Sequence, residues 1–316
     1  MANKLIVSAA PHITSADSTS KIMGRVCIAL LPTLIASVLI FGFQALLLTA
    51  VTVAACVVFE YAYCKLVGRD VTISDLSAVV TGLLLAFNLP AGLPVWMSLV
   101  GAFIAIVIIK QLFGGLGYNF ANPAIVGRIA MALGFTGAMT SYTYPENGID
   151  ALASATPLAV EETAQNAGSY VTLLLGNHGG VLGETCAITL LIGGIYLIWT
   201  KVISPTIPVT YLATVAVFSL LCGYDPIYQL LSGGLILGAF FMATDYVTSP
   251  TTEKGKLVFG IGLGVITCLI RFFGTMNEGV SFAILLMNLL VPYIEILTRQ
   301  DRLGIAKTKK KEGTAK

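Results

Sequence analysis

The chain has 316 residues and a formal net charge of +2, and 56% of its residues are apolar against only 11% charged. Its mean hydropathy of +0.88 leaves too little polar surface to cover a soluble globule, so a soluble enzyme is excluded, and so is a disordered chain. The composition is that of an integral membrane protein.

The first 20 residues are polar and show no apolar core of a cleavable signal peptide. Ten apolar segments follow, each near the roughly 20 residues a helix needs to cross a hydrocarbon core. They are expected at about 22–42, 44–67, 71–89, 94–113, 122–139, 182–200, 206–222, 226–244, 257–273 and 279–298. With both termini inside, every lysine and arginine except Arg128 and Arg271 falls in or beside a cytoplasmic segment, as the positive-inside rule requires. The loop 140–181 has no basic residue but carries Glu146, Asp150, Glu161 and Glu162, which places it outside the cytoplasm. The chain therefore divides into a cytoplasmic segment 1–21, five spans over 22–139, the outer loop 140–181, five spans over 182–298 and a basic cytoplasmic tail 299–316. The tail's Lys307 to Lys311 read as an anchor at anionic lipid headgroups.

An odd number of spans in each half makes any internal repeat an inverted one. Gly82-Leu83-Leu84-Leu85-Ala86-Phe87 resembles Gly234-Leu235-Ile236-Leu237-Gly238-Ala239-Phe240, and Phe113-Gly114 and Phe273-Gly274 each begin the break that follows. If the repeat holds, a buried site belongs at the interface of the two halves, among broken segments.

Four stretches carry chemistry. Gly114-Gly115-Leu116-Gly117-Tyr118-Asn119-Phe120-Ala121-Asn122-Pro123-Ala124 is too rich in helix-breaking residues for an ordinary span. Such a break either lines a cavity with free amides and carbonyls or makes a plain turn before the fifth span. It is no dinucleotide fingerprint, because no strand precedes it. Asp150-Ala151-Leu152-Ala153-Ser154-Ala155-Thr156-Pro157 offers exposed hydroxyls among small residues, or is a flexible loop. Phe241-Met242-Ala243-Thr244-Asp245-Tyr246-Val247-Thr248 ends the eighth span on an acid in polar company, and an ionisable group at that depth is a functional candidate. Glu60, Glu184 and Glu278 are further acids within or at the ends of spans; Asp245 and Glu278 are the candidates for an ion pathway. Glu278-Gly279-Val280-Ser281-Phe282-Ala283-Ile284-Leu285-Leu286-Met287-Asn288 opens the tenth span, and Asn288 within it needs a hydrogen-bond partner inside the bundle.

The six cysteines stand singly, with no C-x-x-C pair, and His12 and His178 are far apart, so neither a metal site nor a disulfide framework is expected. No nucleic acid is expected as a partner.

Together, GGLGYNFANPA, DALASATPL, FMATDYVTSP and EGVSFAILLMN resemble the family that unites the D subunit of the Rnf complex with the B subunit of the sodium-pumping NADH:quinone reductase. The similarity runs from about residue 20 to 300, and the length favours the Rnf member. The resemblance implies an all-α membrane fold of two inverted five-helix repeats with broken helices. It also implies an electron-transfer subunit of a ferredoxin:NAD oxidoreductase that translocates sodium ions or protons and is not catalytic alone. The expected partners are the other Rnf subunits (A, B, C, E and G, the flavoprotein G above all) and a flavin transferase. FMN is implied as a phosphoester on Thr156, with Asp150, Ser154 and Ala155 completing the transferase pattern, although Ala153 stands where the family more often has Ser or Thr. A second, noncovalent flavin, riboflavin, is implied near the bundle, with Gly115, Asn119, Asn122 and Arg128 as candidate contacts. The alternatives are the quinone-reductase subunit itself, or a transporter of the same architecture without redox chemistry.

Overall fold

The computed structural model describes residues 17–142, 170–176, 178–184, 186–274 and 279–299. Helix α1 (Thr19–Phe41) starts where the Ser18 hydroxyl accepts from the Lys21 amide and ends at Gly42, whose φ of 73° lets the chain reverse into α2 (Phe43–Val67). A 3-10 turn (Ile73–Asp75) and Leu76, held at φ 62°, lead into α3 (Ser77–Phe87), only 11 residues long. Helix α4 (Val95–Phe103) runs on as a π-helix over Ile104–Gln111. Next come α5 (Pro123–Gly134), capped by Asn122 with Pro123 at its first position, and the short α6 (Thr136–Met139).

The second half holds α7 (Tyr170–Leu175), α8 (Ala187–Trp199), α9 (Thr206–Cys222) and α10 (Pro226–Leu231). It continues with α11 (Leu235–Leu237), which passes into a π-helix over Gly238–Met242, then α12 (Glu253–Phe273) and α13 (Val280–Thr298). No strand occurs among the described residues, only an isolated bridge between Pro90 and Val181. Helices α1, α2, α12 and α13 are long and apolar enough to cross a membrane, and five shorter apolar helices accompany them. Leu39, Trp199 and Leu221 stand on the outside of the bundle with about 80% of their surface exposed, which suits lipid. The chain is an all-helical, multi-pass membrane protein.

The expected segments 94–113, 206–222, 257–273 and 279–298 match their helices within a few residues. The third, fifth, sixth and eighth are shorter or broken. The chain after α3 leaves the helix at Asn88 and pairs instead with the strand-like run before α8: the Leu182 amide donates to Leu89 O at 3.1 Å and the Gly183 amide to Phe87 O at 2.8 Å. The Ser37 hydroxyl of α1 donates to Leu182 O at 2.5 Å. A Cβ on Gly183 would lie 2.6 Å from the Cβ of Phe87, so only glycine allows this pairing. In the eighth segment, Arg271 of α12 donates to Gln229 O at 2.8 Å and Ser232 O at 3.1 Å, satisfying carbonyls freed where α10 ends. One of the two basic residues that fall outside the charge rule thus serves a backbone break.

Packing pairs α1 with α8, α2 with α3 and α4, α4 with α5, α9 with α12, α12 with α13, and α5 with α13. Small residues set the closest approaches, as expected where van der Waals contact drives helix association. A Cβ on Gly193 of α8 would lie 2.2 Å from the carbonyl oxygen of Ala29 in α1. Gly193→Ala is therefore expected to push these helices apart and cost about 1–3 kcal/mol, lowering the thermal midpoint in detergent. Gly137→Ala, where nothing lies within 4 Å, is the matched control and should leave the midpoint unchanged.

A candidate ligand cleft beside a buried ion pair

The π-helical turn of α4 carries Lys110 into the interior, where it is 2% exposed, opposite Glu60 of α2 at 0%. Lys110 Nζ donates to Glu60 Oε2 and to the Ser77 hydroxyl, both at 2.6 Å. The Thr72 hydroxyl donates to Glu60 Oε1 at 2.7 Å. Asp75 holds Ser77 from the other side, accepting from its amide at 2.7 Å and its hydroxyl at 2.5 Å. Burying two charges is costly, and these hydrogen bonds are what make the pair tolerable. Glu60 was legible as an intramembrane acid. Lys110 read as an interfacial cation, because a partner 50 residues away becomes visible only in the fold.

After the π-turn the chain reverses through Gly114, Gly115 and Gly117, at φ 125°, 93° and 97°. Asn119 is buried and its Oδ1 has no hydrogen-bond partner, while its Nδ2 donates to Ala121 O at 3.2 Å. The Asn122 oxygen caps α5 at Ala124 N (3.0 Å), and its Nδ2 donates to Met242 O at 3.4 Å, a carbonyl of the second π-turn. With the amide of Asn288 oriented to satisfy both its ends, it donates to Thr248 O at 3.0 Å and Ile284 O at 3.2 Å and accepts from Asn122 N at 3.2 Å. The partner expected for Asn288 is thus the fifth segment's cap.

These elements surround a cleft with about 760 Å³ of empty space, a figure that takes in the open solvent at its mouth. Its wall is mostly apolar, including Leu84, Leu116, Phe240 and Phe241, with Lys110, Ser77, Asn119, Asn122 and Asp245 as polar points. Asp245 accepts from the Thr248 hydroxyl at 3.1 Å. An apolar slot with an unpartnered buried amide oxygen and a lysine suits a flat heteroaromatic ring bearing an N–H donor and carbonyl acceptors.

Of the residues singled out in the sequence, Asn119, Asn122 and Asp245 meet in this cleft. Gly115 shapes the turn but does not line it. Arg128 lies elsewhere: it donates to the Ser281 hydroxyl of α13 and feels the charge of Glu184. Glu184 and His178 are buried nearby, and burial holds the His178 imidazole below its ordinary pKa. Asp150, Ser154, Ala155, Thr156 and Glu278 lie outside the described residues.

The model of the NQR2, RnfD, RnfE family matches residues 6–304. The chain belongs to that family. Among its relatives, the D subunit of the Na(+)-translocating ferredoxin:NAD(+) oxidoreductase complex of Acetobacterium woodii is 47% identical over 97% of both chains. The D subunit of the proton-translocating ferredoxin:NAD(+) oxidoreductase complex of Clostridium ljungdahlii is 41% identical over 96% of this chain and 97% of the relative. The D subunit of the ion-translocating oxidoreductase complex of Actinobacillus succinogenes is 36% identical over 94% and 97%. In this family member the ion pair borders the cleft, so its integrity is testable apart from any ligand. Glu60→Gln or Lys110→Met alone should destabilise the detergent-solubilised protein by about 3–5 kcal/mol, by leaving one charge buried without its partner. The double variant should recover part of that loss in a thermal double-mutant cycle.

Proposed function

We propose that this protein is the D subunit of an ion-translocating ferredoxin:NAD oxidoreductase complex, carrying FMN as a phosphoester on Thr156 and a second, noncovalent flavin in the cleft. The observation that carries the reading is the near-full-length match to D subunits together with the Asp150-to-Thr156 pattern in a loop free of basic residues. In this reading both termini are cytoplasmic and the loop 140–181 lies outside, where a flavin transferase reaches it. The tether fixes the flavin's place, so electron-transfer distance is independent of free FMN concentration. Bound flavin supplies the one- and two-electron chemistry, while the protein supplies position and charge. Neighbouring subunits of the same complex deliver and accept the electrons, and sodium ions or protons are the ions moved.

The cleft supports the second flavin through the Asn119 oxygen, which lacks a donor, and the apolar walls of Leu84, Leu116 and Phe240. In this arrangement Asn119 would receive a ring N–H, Lys110 would face ring carbonyls, and the apolar walls would exclude water from both faces. Residues 22–139 and 182–298 are read as inverted repeats of five segments each. The packing supports this: α2 meets α4 as α9 meets α12, and α1 meets α8 as α5 meets α13. At the α5–α13 contact the start of each helix bonds the interior of the other, Asn122 to Asn288 and Ser281 to Arg128.

In-gel fluorescence of the denatured polypeptide tests the tether. Coexpressed with a flavin transferase, the wild type should give a fluorescent band that Thr156→Ala abolishes; a band that persists in the variant would refute the assignment. Asn119→Leu should leave that band intact and remove most of the flavin that acid releases from the folded protein. Equal acid-released flavin in both proteins would refute the cleft assignment.

A further inference from the structure

The contacts around Lys110 form a continuous chain from the protein surface to the cleft. Asp75 is half-buried and reaches solvent at the same end of the bundle as the start of α1, beside the Ser20–Ser74 contact. Ser77 is 4% exposed, bonds Asp75 at 2.5 Å and receives Lys110 Nζ at 2.6 Å. Ser77 and Lys110 both line the cleft. Ser77 therefore does two things at once: it completes the hydrogen bonding of the buried ammonium and joins it to a carboxylate that reaches solvent. The charged or titratable groups facing it are Glu60 and Cys56 from α2, Asp75 from the turn before α3 and Asp245 across the cleft.

We propose that Asp75, Ser77 and Lys110 are a proton relay that carries protons from the membrane surface to the ligand of the cleft. The proposal rests on the reading that this ligand is a flavin, whose ring nitrogens become more basic with each electron they receive. In one passage the Lys110 ammonium gives a proton to a ring nitrogen, the N–H bond of Lys110 breaking as the ring N–H forms. The Lys110 amine takes the hydroxyl proton of Ser77, and the Ser77 oxygen takes the proton of an Asp75 carboxyl that water has charged. The hydrogen bonds reverse and reset, and the net change is one proton moved from water to the ring. Glu60, fixed by Thr72, keeps Lys110 aimed. Lys110 is the residue that touches the ligand; Ser77 and Asp75 act through it.

The test uses the intact complex in a Thr156→Ala background, which removes this chain's tethered flavin, and the same complex with Asn119→Leu added supplies the signal of the other subunits to subtract. A flash delivers electrons, a pH-indicator dye in weakly buffered solution records proton uptake, and acid extraction gives flavin content. Asp75→Asn keeps a side-chain oxygen to accept from the Ser77 amide, yet has no carboxyl proton to pass. It should retain the flavin and its midpoint potential while slowing proton uptake at least tenfold. Ser77→Ala should slow proton uptake per bound flavin by a similar factor, and Ser77→Thr, which restores the hydroxyl, should recover most of the rate. Full flavin content with a wild-type uptake rate in both Asp75→Asn and Ser77→Ala would overturn the relay. Absence of flavin from the otherwise unsubstituted cleft would overturn the reading of the cleft itself, and the relay with it.

Discussion

A membrane interior offers no water to unpaired backbone groups or side-chain charges, and every break in this fold answers to that constraint. Where α3 stops at Asn88, the carbonyls of Phe87 and Leu89 are taken by the amides of Gly183 and Leu182. Where α10 stops, Arg271 takes the carbonyls. Where α5 begins, Asn122 caps its first turn and also reaches Met242 O of the other half. The first and third of these breaks are closed by residues of the other half of the chain and the second by a residue of its own half, through polar contacts that apolar packing alone would not specify.

The same constraint gives the cleft its character. A lysine and a glutamate in contact at 2.6 Å with almost no solvent are tolerable only because Thr72 and Ser77 complete their hydrogen bonding. That network fixes α2, α3 and the end of α4 relative to one another along one wall. The opposite wall comes from the second half, through Phe240, Phe241 and Asp245. The cleft is thus lined by residues far apart in the sequence, from α3 and α4 on one side and from the second π-turn on the other.

Much of this was legible in the sequence. The long apolar runs gave α1, α2, α12 and α13, and the glycine- and asparagine-rich stretch gave a true break with three positive φ angles. The demand of Asn288 for a partner was also sound, because a mid-span amide has few other outcomes. Three things were not legible. Leu76 at φ 62° starts α3 late, and leucine does not announce that backbone. The π-turns have no periodicity of their own. Arg128 looked like company for Asn122, only six positions away in the chain, yet in the fold it bonds Ser281 of α13 instead.

The π-turn of α4 also bears on how this sequence can vary. A π-turn carries one residue more than the α-helical turn it replaces. Inserting a further residue between Ile104 and Ile109, beyond the one the π-turn already absorbs, would swing everything after it by about 100°. Lys110 would then leave Glu60 and turn toward another face, while the apolar residues before it kept their contacts. The segment therefore tolerates exchange of one apolar residue for another far better than a change in length, although it lies in a run whose composition looks indifferent to both.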